Sequence, residues 1–224
     1  MSRSAEPTRA RLIAAAEQLF AAHGIDGVSL REINRASGAR NAIAVQYHFE
    51  DRAGVVRAIL QKHQPDVDAR RHAMLDEYVA APIPSLRTLA AALVQPSAAK
   101  LADRDGGPAY LQILSYLINR PDAGTETAPA DDAADSIQRW RALLEPLLEQ
   151  DAVRLHRRFI AIRFTAVELG RRAASGPHAD DRLFVSHLID LVTALLGAPV
   201  SEETIRFADD RDAHRDRRRR SPVP

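Results

Sequence analysis

The stretch "GARNAIAVQYHFEDRAG", residues 38–54, decides how this chain folds. A glycine opens it and Asn41 follows as a helix cap. Ala42, Val45 and Phe49 then recur at i, i+3 and i+7, which is the spacing of one buried helical face. The opposite face carries Ile43, Gln46 and Tyr47. Tyr47 and His48 beside Phe49 pose the problem, because polar aromatic tips need partners. Their ring bodies are expected to pack on a small helical core while the tips meet something outside the chain. Glu50 and Asp51 turn the chain into a further helix over about 52–62, burying Val55, Val56, Ile59 and Leu60.

Upstream, Leu12, Ala16, Leu19 and Phe20 form the apolar stripe of a first helix, with Thr8 expected as its cap after Pro7 and Gly24 as its end. In "VSLREINRASG", Ser29 and Glu32 make a capping box that starts a second helix of about two turns, which Gly38 closes. Two short helices around a glycine-bearing turn, packed on a longer one, form a helix-turn-helix unit. "HQP" at 63–65 is expected to break or bend the chain after it.

Beyond that point the pattern stays helical, with segments expected at about 66–80, 85–95, 108–120, 135–150, 153–175 and 181–197. The fold class is therefore all-α: an N-terminal three-helix helix-turn-helix domain at 1–63 and a larger helical domain at 64–201. The segment 202–224, charged and poor in apolar residues, is expected to be a disordered tail.

Charge follows the same division. Residues 1–63 carry nine Lys/Arg against six Asp/Glu, whereas 64–201 carry fifteen against eighteen. A basic head on an acidic body fits a head that meets a polyanion. With no cysteine in its 224 residues, the chain has neither disulfides nor thiolate chemistry. The N-terminus lacks the apolar core of a signal peptide, and no apolar run reaches the ~20 residues of a bilayer span, so no membrane partner and a cytoplasmic location are expected. Catalytic and phosphate-loop motifs are missing and the eight histidines are scattered, so no enzyme activity, cofactor or metal is expected.

The second helix of such a unit enters the major groove with its first residues against base edges. Arg40 can donate to guanine, Asn41 or Gln46 can pair with adenine, and Ile43 can touch a thymine methyl, with Ala42 in the same leading turn. Tyr47, His48, Arg52 and Ser29 suit phosphate oxygens.

At these residues the sequence resembles the TetR family of bacterial transcriptional regulators. The likeness rests on "TRARLIAAAEQLFAAHGIDGVSLREI", the turn at Gly38 and "VQYHFEDRAGVVRAIL", covering about residues 8–62. Gln46 departs from the tyrosine common at that place, and Asp51-Arg52 from a small residue plus lysine. The resemblance implies a homodimer on a palindromic double-stranded DNA operator, acting as a repressor and released by a small-molecule effector, with the 52–62 helix carrying the shift. It also implies that the last two long helices pair with their twins. Phe164, Gly170, Leu188, Leu191 and Leu195 are the interface candidates, small residues for close approach and large ones for area. Met74, Tyr110, Tyr116, Trp140, Phe159 and Arg163 are either core or the lining of an effector pocket, and Arg120 is either an anion anchor or a helix-end charge. An all-α enzyme or a helical interaction module without sequence-specific DNA binding is the alternative.

Overall fold

A computed structural model describes residues 5–39, 41, 43–83, 85–120 and 135–220, with side chains from 7 to 215 within those ranges. The described residues form helices and no strand. Helix α1 (Ala5–His23) buries Leu12, Ile13, Ala16 and Phe20. It begins ahead of the expected cap: Pro7 sits in its first turn, where the missing amide costs nothing, and Thr8 lies inside the helix. Helix α2 (Leu30–Ala36) follows at the expected place, whereas α3 (Ala44–Phe49) has Ile43 and not Asn41 at its N-cap.

Helix α4 (Arg52–Ala80) does not stop at 63. It runs unbroken through Pro65 and merges the two helices expected at 52–62 and 66–80. Proline removes one ladder bond and disfavours a helix interior. Here that loss is outweighed by continuous burial on both sides of it, from Val55, Val56 and Ile59 to Val67, Arg71 and Leu75. The division at 63/64 therefore falls inside a helix, and one apolar cluster extends from Leu12 in the head to Leu196 in the body.

Helix α5 (Leu86–Ala98) continues into a 3-10 turn, Ala99–Ala102, and leads to α6 (Gly107–Ile118). Helix α7 (Ser136–Leu144), capped by Asp135, ends in the 3-10 turn Glu145–Leu147. The segment expected as one helix over 153–175 is two, α8 (Gln150–Arg154) and α9 (Arg157–Ala174). His156 separates them with a left-handed backbone, φ 56°. The turn sends neighbouring arginines to different partners, Arg154 to Asp209 and Asp212, and Arg157 to the carbonyls of Leu196 and Ala198. Helix α10 (Arg182–Gly197) packs on α5 and α9.

The tail is a correction. Residues Glu202–Arg220 form helix α11, held by the Arg154 pairs at 2.7 Å to Asp209 and 2.7 Å to Asp212 and by burial of Ala208. Its composition lacks an apolar stripe, but acids one turn apart on one face are enough to meet a single arginine.

The body is organised by α6 lying along α9. Gly170 makes that approach possible, since a Cβ there would stand 2.5 Å from Ser115 Cβ. Gly170 thus faces α6 of its own chain rather than a twin helix. Trp140 is fully buried beside α5 and donates from Nε1 to the Leu89 carbonyl at 2.8 Å. No single described helix is long and apolar enough to cross a membrane.

Gly170→Ala should prise α9 from α6 and lower the urea midpoint, at a cost of about 1–3 kcal/mol for an overpacked contact. An unchanged midpoint by equilibrium unfolding would show that the α6–α9 seam yields without cost.

Candidate nucleic-acid interface and ligand cavity

The turn between α2 and α3 is built from short polar side chains. Gly38 takes a left-handed backbone, φ 65°, that glycine adopts without strain. Ser37 Oγ donates to the Asn34 carbonyl at 2.8 Å and accepts from Ala39 N–H at 3.3 Å. Asn34, buried, donates from Nδ2 to the Asn41 carbonyl at 2.8 Å and so ties the end of α2 to the start of α3. Asn34 was not among the sequence candidates; a polar residue on the inner side of a short helix was the available sign.

Helix α3 begins at Ala44, with Ile43 at its N-cap. Asn41 stands ahead of the helix, its Oδ1 accepting from Ile43 N–H at 3.1 Å and its carbonyl from Ala44 N–H at 3.1 Å. That use of Oδ1 leaves Asn41 poorly suited to a bidentate pair with adenine. Gln46 is exposed and has no side-chain hydrogen bond among the described residues, so both its amide atoms face outward free. Ala44, Val45 and Phe49 fill the inner face, and Arg9 of α1 lies over the Phe49 ring at 5.4 Å.

Ile43 is 59% exposed and Tyr47 79%. The Tyr47 ring therefore projects into solvent instead of packing on the core, as expected for its body; it meets only the edge of the His48 ring, centroids 5.2 Å apart, among aromatic neighbours. His48 is half-buried and tilts against Phe49 at 6.0 Å. Arg40 and Ala42 lie outside the described residues.

Two phosphate candidates are committed elsewhere. Ser29 is locked in the capping box: its amide and hydroxyl both donate to the Glu32 carboxylate at 2.7 Å, and its oxygen accepts from Glu32 N–H at 3.3 Å. The anion seat at the start of α2 is thus filled by the chain's own carboxylate. The Ser29 hydroxyl, then the Ser29 amide, hold the Glu32 pKa below the ordinary carboxylate range. Arg52 donates to the Val28 carbonyl at 2.9 Å and pairs with Asp26 at 3.7 Å, which pins the α1–α2 connection to the start of α4.

A buried polar cluster joins the head to the body. Glu17 of α1 is 2% exposed and His63 of α4 1%, with Nε2 and Oε1 2.8 Å apart. Lys62 bridges Glu17 at 3.0 Å and Asp105 at 2.8 Å. Burial works against the Lys62 ammonium, but hydrogen bonds to Asp105 and Glu17 outweigh it and raise its pKa. Helix α6 packs against α1, and side-chain bonds tie it to the head through Asp105 just before it and through Tyr116, whose hydroxyl bonds Asp26.

A cavity of about 310 Å³ opens among α4, α5, α6, α7 and α9, the low end of ligand-site volumes. Of the sequence candidates only Tyr110 lines it. Tyr116 and Arg120 border a separate shallow surface depression over α6 and α9. Met74 packs half-buried on the core, and Trp140 is core. Phe159 and Arg163 stack on the outer surface of α9, 4.9 Å from guanidinium to ring. Arg71, missed in the sequence because charge on a helix reads as surface, is buried in the cavity wall. Of the dimer candidates, Leu188 is buried within its own chain, Phe164 and Leu195 are half-buried, and Leu191 is exposed. The outer face of α10 also shows Leu183 and His187.

Two short helices around a braced turn, the second bearing an outward row of side chains, define a helix-turn-helix DNA-binding regulator. Residues 12–59, the N-terminal domain, match the family model of bacterial regulatory proteins, tetR family. A search of curated proteins finds no match.

A depressed carboxylate stabilises above its unfolded pKa and loses that contribution as pH falls through its folded pKa. Amide protection of α2 should therefore fall on acidification through the carboxylate range in the wild type. In Glu32→Gln the same hydrogen-exchange profile should be flatter across that range; equal profiles would remove Glu32 as the cause.

Proposed function

We propose that the chain is a homodimeric repressor that binds a palindromic operator and is released by a small molecule, a cytoplasmic role carried out on DNA. The observation that carries this reading is the outward row on α3: Gln46 with a free amide beside Ile43 and the fully projecting Tyr47. A side chain this apolar and this exposed on a short helix suits a groove rather than water. In this reading Gln46 pairs with adenine, Ile43 meets a thymine methyl, and Tyr47 and His48 reach phosphates. Arg40, Asn41 and Ala42 enter with the leading turn. The exposed Leu183, His187 and Leu191 on α10 supply the twin-facing stripe, with Leu195 and Phe164 at its margin.

Release is proposed to run through α6 as well as α4. Helix α6 carries Tyr110 on the cavity wall and is bonded to the head at Asp105 and Tyr116. A ligand that favours one arrangement of α6 by ~1–3 kcal/mol would shift head position by mass action.

Selection of bound duplexes from a random library at stated salt should recover a palindrome. Gln46→Ala should relax one base position in each half-site and weaken binding about tenfold, within the ~1–3 kcal/mol of a bidentate contact. Tyr47→Ala should weaken all sequences alike. Folded protein that recovers no preferred sequence would overturn the reading.

A further inference from the structure

The cavity wall is mostly aliphatic, with Val67, Leu93, Leu111, Leu114, Ile162 and Leu169 among its residues. Among the described residues Arg71 is the cation of this wall, and it is already occupied. Arg71 donates to the Ala92 carbonyl at 3.2 Å, to Ser136 Oγ at 2.6 Å and to Asp68 at 3.4 Å, and Ser136 in turn bonds Asp68. The second carboxylate, Asp135, accepts from Ile137 N–H at 2.8 Å and caps α7. A ligand carboxylate would have to take the buried Arg71 guanidinium from the Ala92 carbonyl, Ser136 and Asp68 together, an exchange that costs more than it returns. A ligand amine would compete with the same internal partners.

Tyr110 is different. It is 2% exposed, lines the cavity, and its hydroxyl has no hydrogen-bond partner among the described residues. A hydroxyl on a cavity wall that no side chain of the wall engages is open to a ligand atom. Burial pushes its pKa up to about 12, which keeps it a neutral donor. Its ring lies 4.8 Å from that of His63, which bonds Glu17 of the head.

We propose that this cavity takes an uncharged, largely aliphatic molecule with one hydrogen-bonding oxygen, received by the Tyr110 hydroxyl. The inference rests on the effector reading above and deepens it to a ligand class. Three probes of similar length separate the alternatives: 2-nonanone, octanoate and octylamine, titrated calorimetrically into the full chain without DNA. The ketone should bind more tightly than either ion. Tyr110→Phe, which keeps the ring against His63, should weaken the ketone about tenfold and leave the melting temperature near that of the wild type. Ala166→Leu, filling the cavity, should abolish ketone binding. Tighter binding of octanoate would overturn the proposal by showing that Arg71 is available, and tighter binding of octylamine would overturn it through the wall carboxylates. Ketone affinity indifferent to Tyr110→Phe, or no binding of any probe, would overturn it as well. Operator affinity is measured separately: Tyr110-dependent ketone binding that leaves the operator bound sustains the ligand class and rejects ligand release.

Discussion

The Glu17 carboxylate, buried between the DNA-binding head and the body, is the constraint from which the rest of the arrangement follows. A charge taken out of water must be met by opposite charge and hydrogen bonds, or the fold pays several kcal/mol for it. Glu17 is met by His63 and Lys62, consecutive residues of α4, and Lys62 passes on to Asp105 at the start of α6. Three helices that are remote in sequence are thereby fixed at one place. His63 Nδ1 also lies 3.8 Å from Asp103, so the connection before α6 closes around the pair from the far side. Head and body share one polar seam, set inside a continuous apolar cluster.

From that seam the body extends along α6. One side of α6 lies against α9, at a distance only Gly170 permits, and another side closes the cavity through Tyr110 and Leu111. Polar demand is settled locally in most of this wall, by Arg71 with Asp68 and Ser136, and by Thr165 bonding the Ala161 carbonyl within its own helix. A wall that has already answered its own charges is selective by what it leaves unanswered.

What could be read in the sequence was what is local. The Ser29–Glu32 box, the inner face of Val45 and Phe49, and the stripe Leu12–Ala16–Phe20 depend on spacings of a turn or two, and the structure has them. What could not be read depends on partners far along the chain. Pro65 signals a break by its own chemistry, yet the core on both sides keeps α4 whole. Residues 202–220 look unfit for order until Arg154 is set beside Asp209 and Asp212. Gly170 reads as an open face until Ser115 is found against it. In the head, Ser29 and Arg52 had the right residue types for phosphate, but Glu32 and the Val28 carbonyl reach them first. An outward tip was legible for Tyr47; that its whole ring stands clear of the core was not.

The unbroken run of α4 has a mechanical meaning. Its 29 residues amount to a rod with a contour of about 43 Å, with the groove-facing unit at one end and the cavity wall along its middle. Arg71 lies 19 residues, about 28 Å, from the start of α4, so a tilt of roughly 5° about it would carry that end about 2.5 Å, most of one base-pair step along a duplex. A structure that bent freely at Pro65 would absorb such a rotation at the bend. Because the helix continues through Pro65, a rotation at the cavity wall would, in the proposed release, be carried toward the head instead of being taken up at the proline.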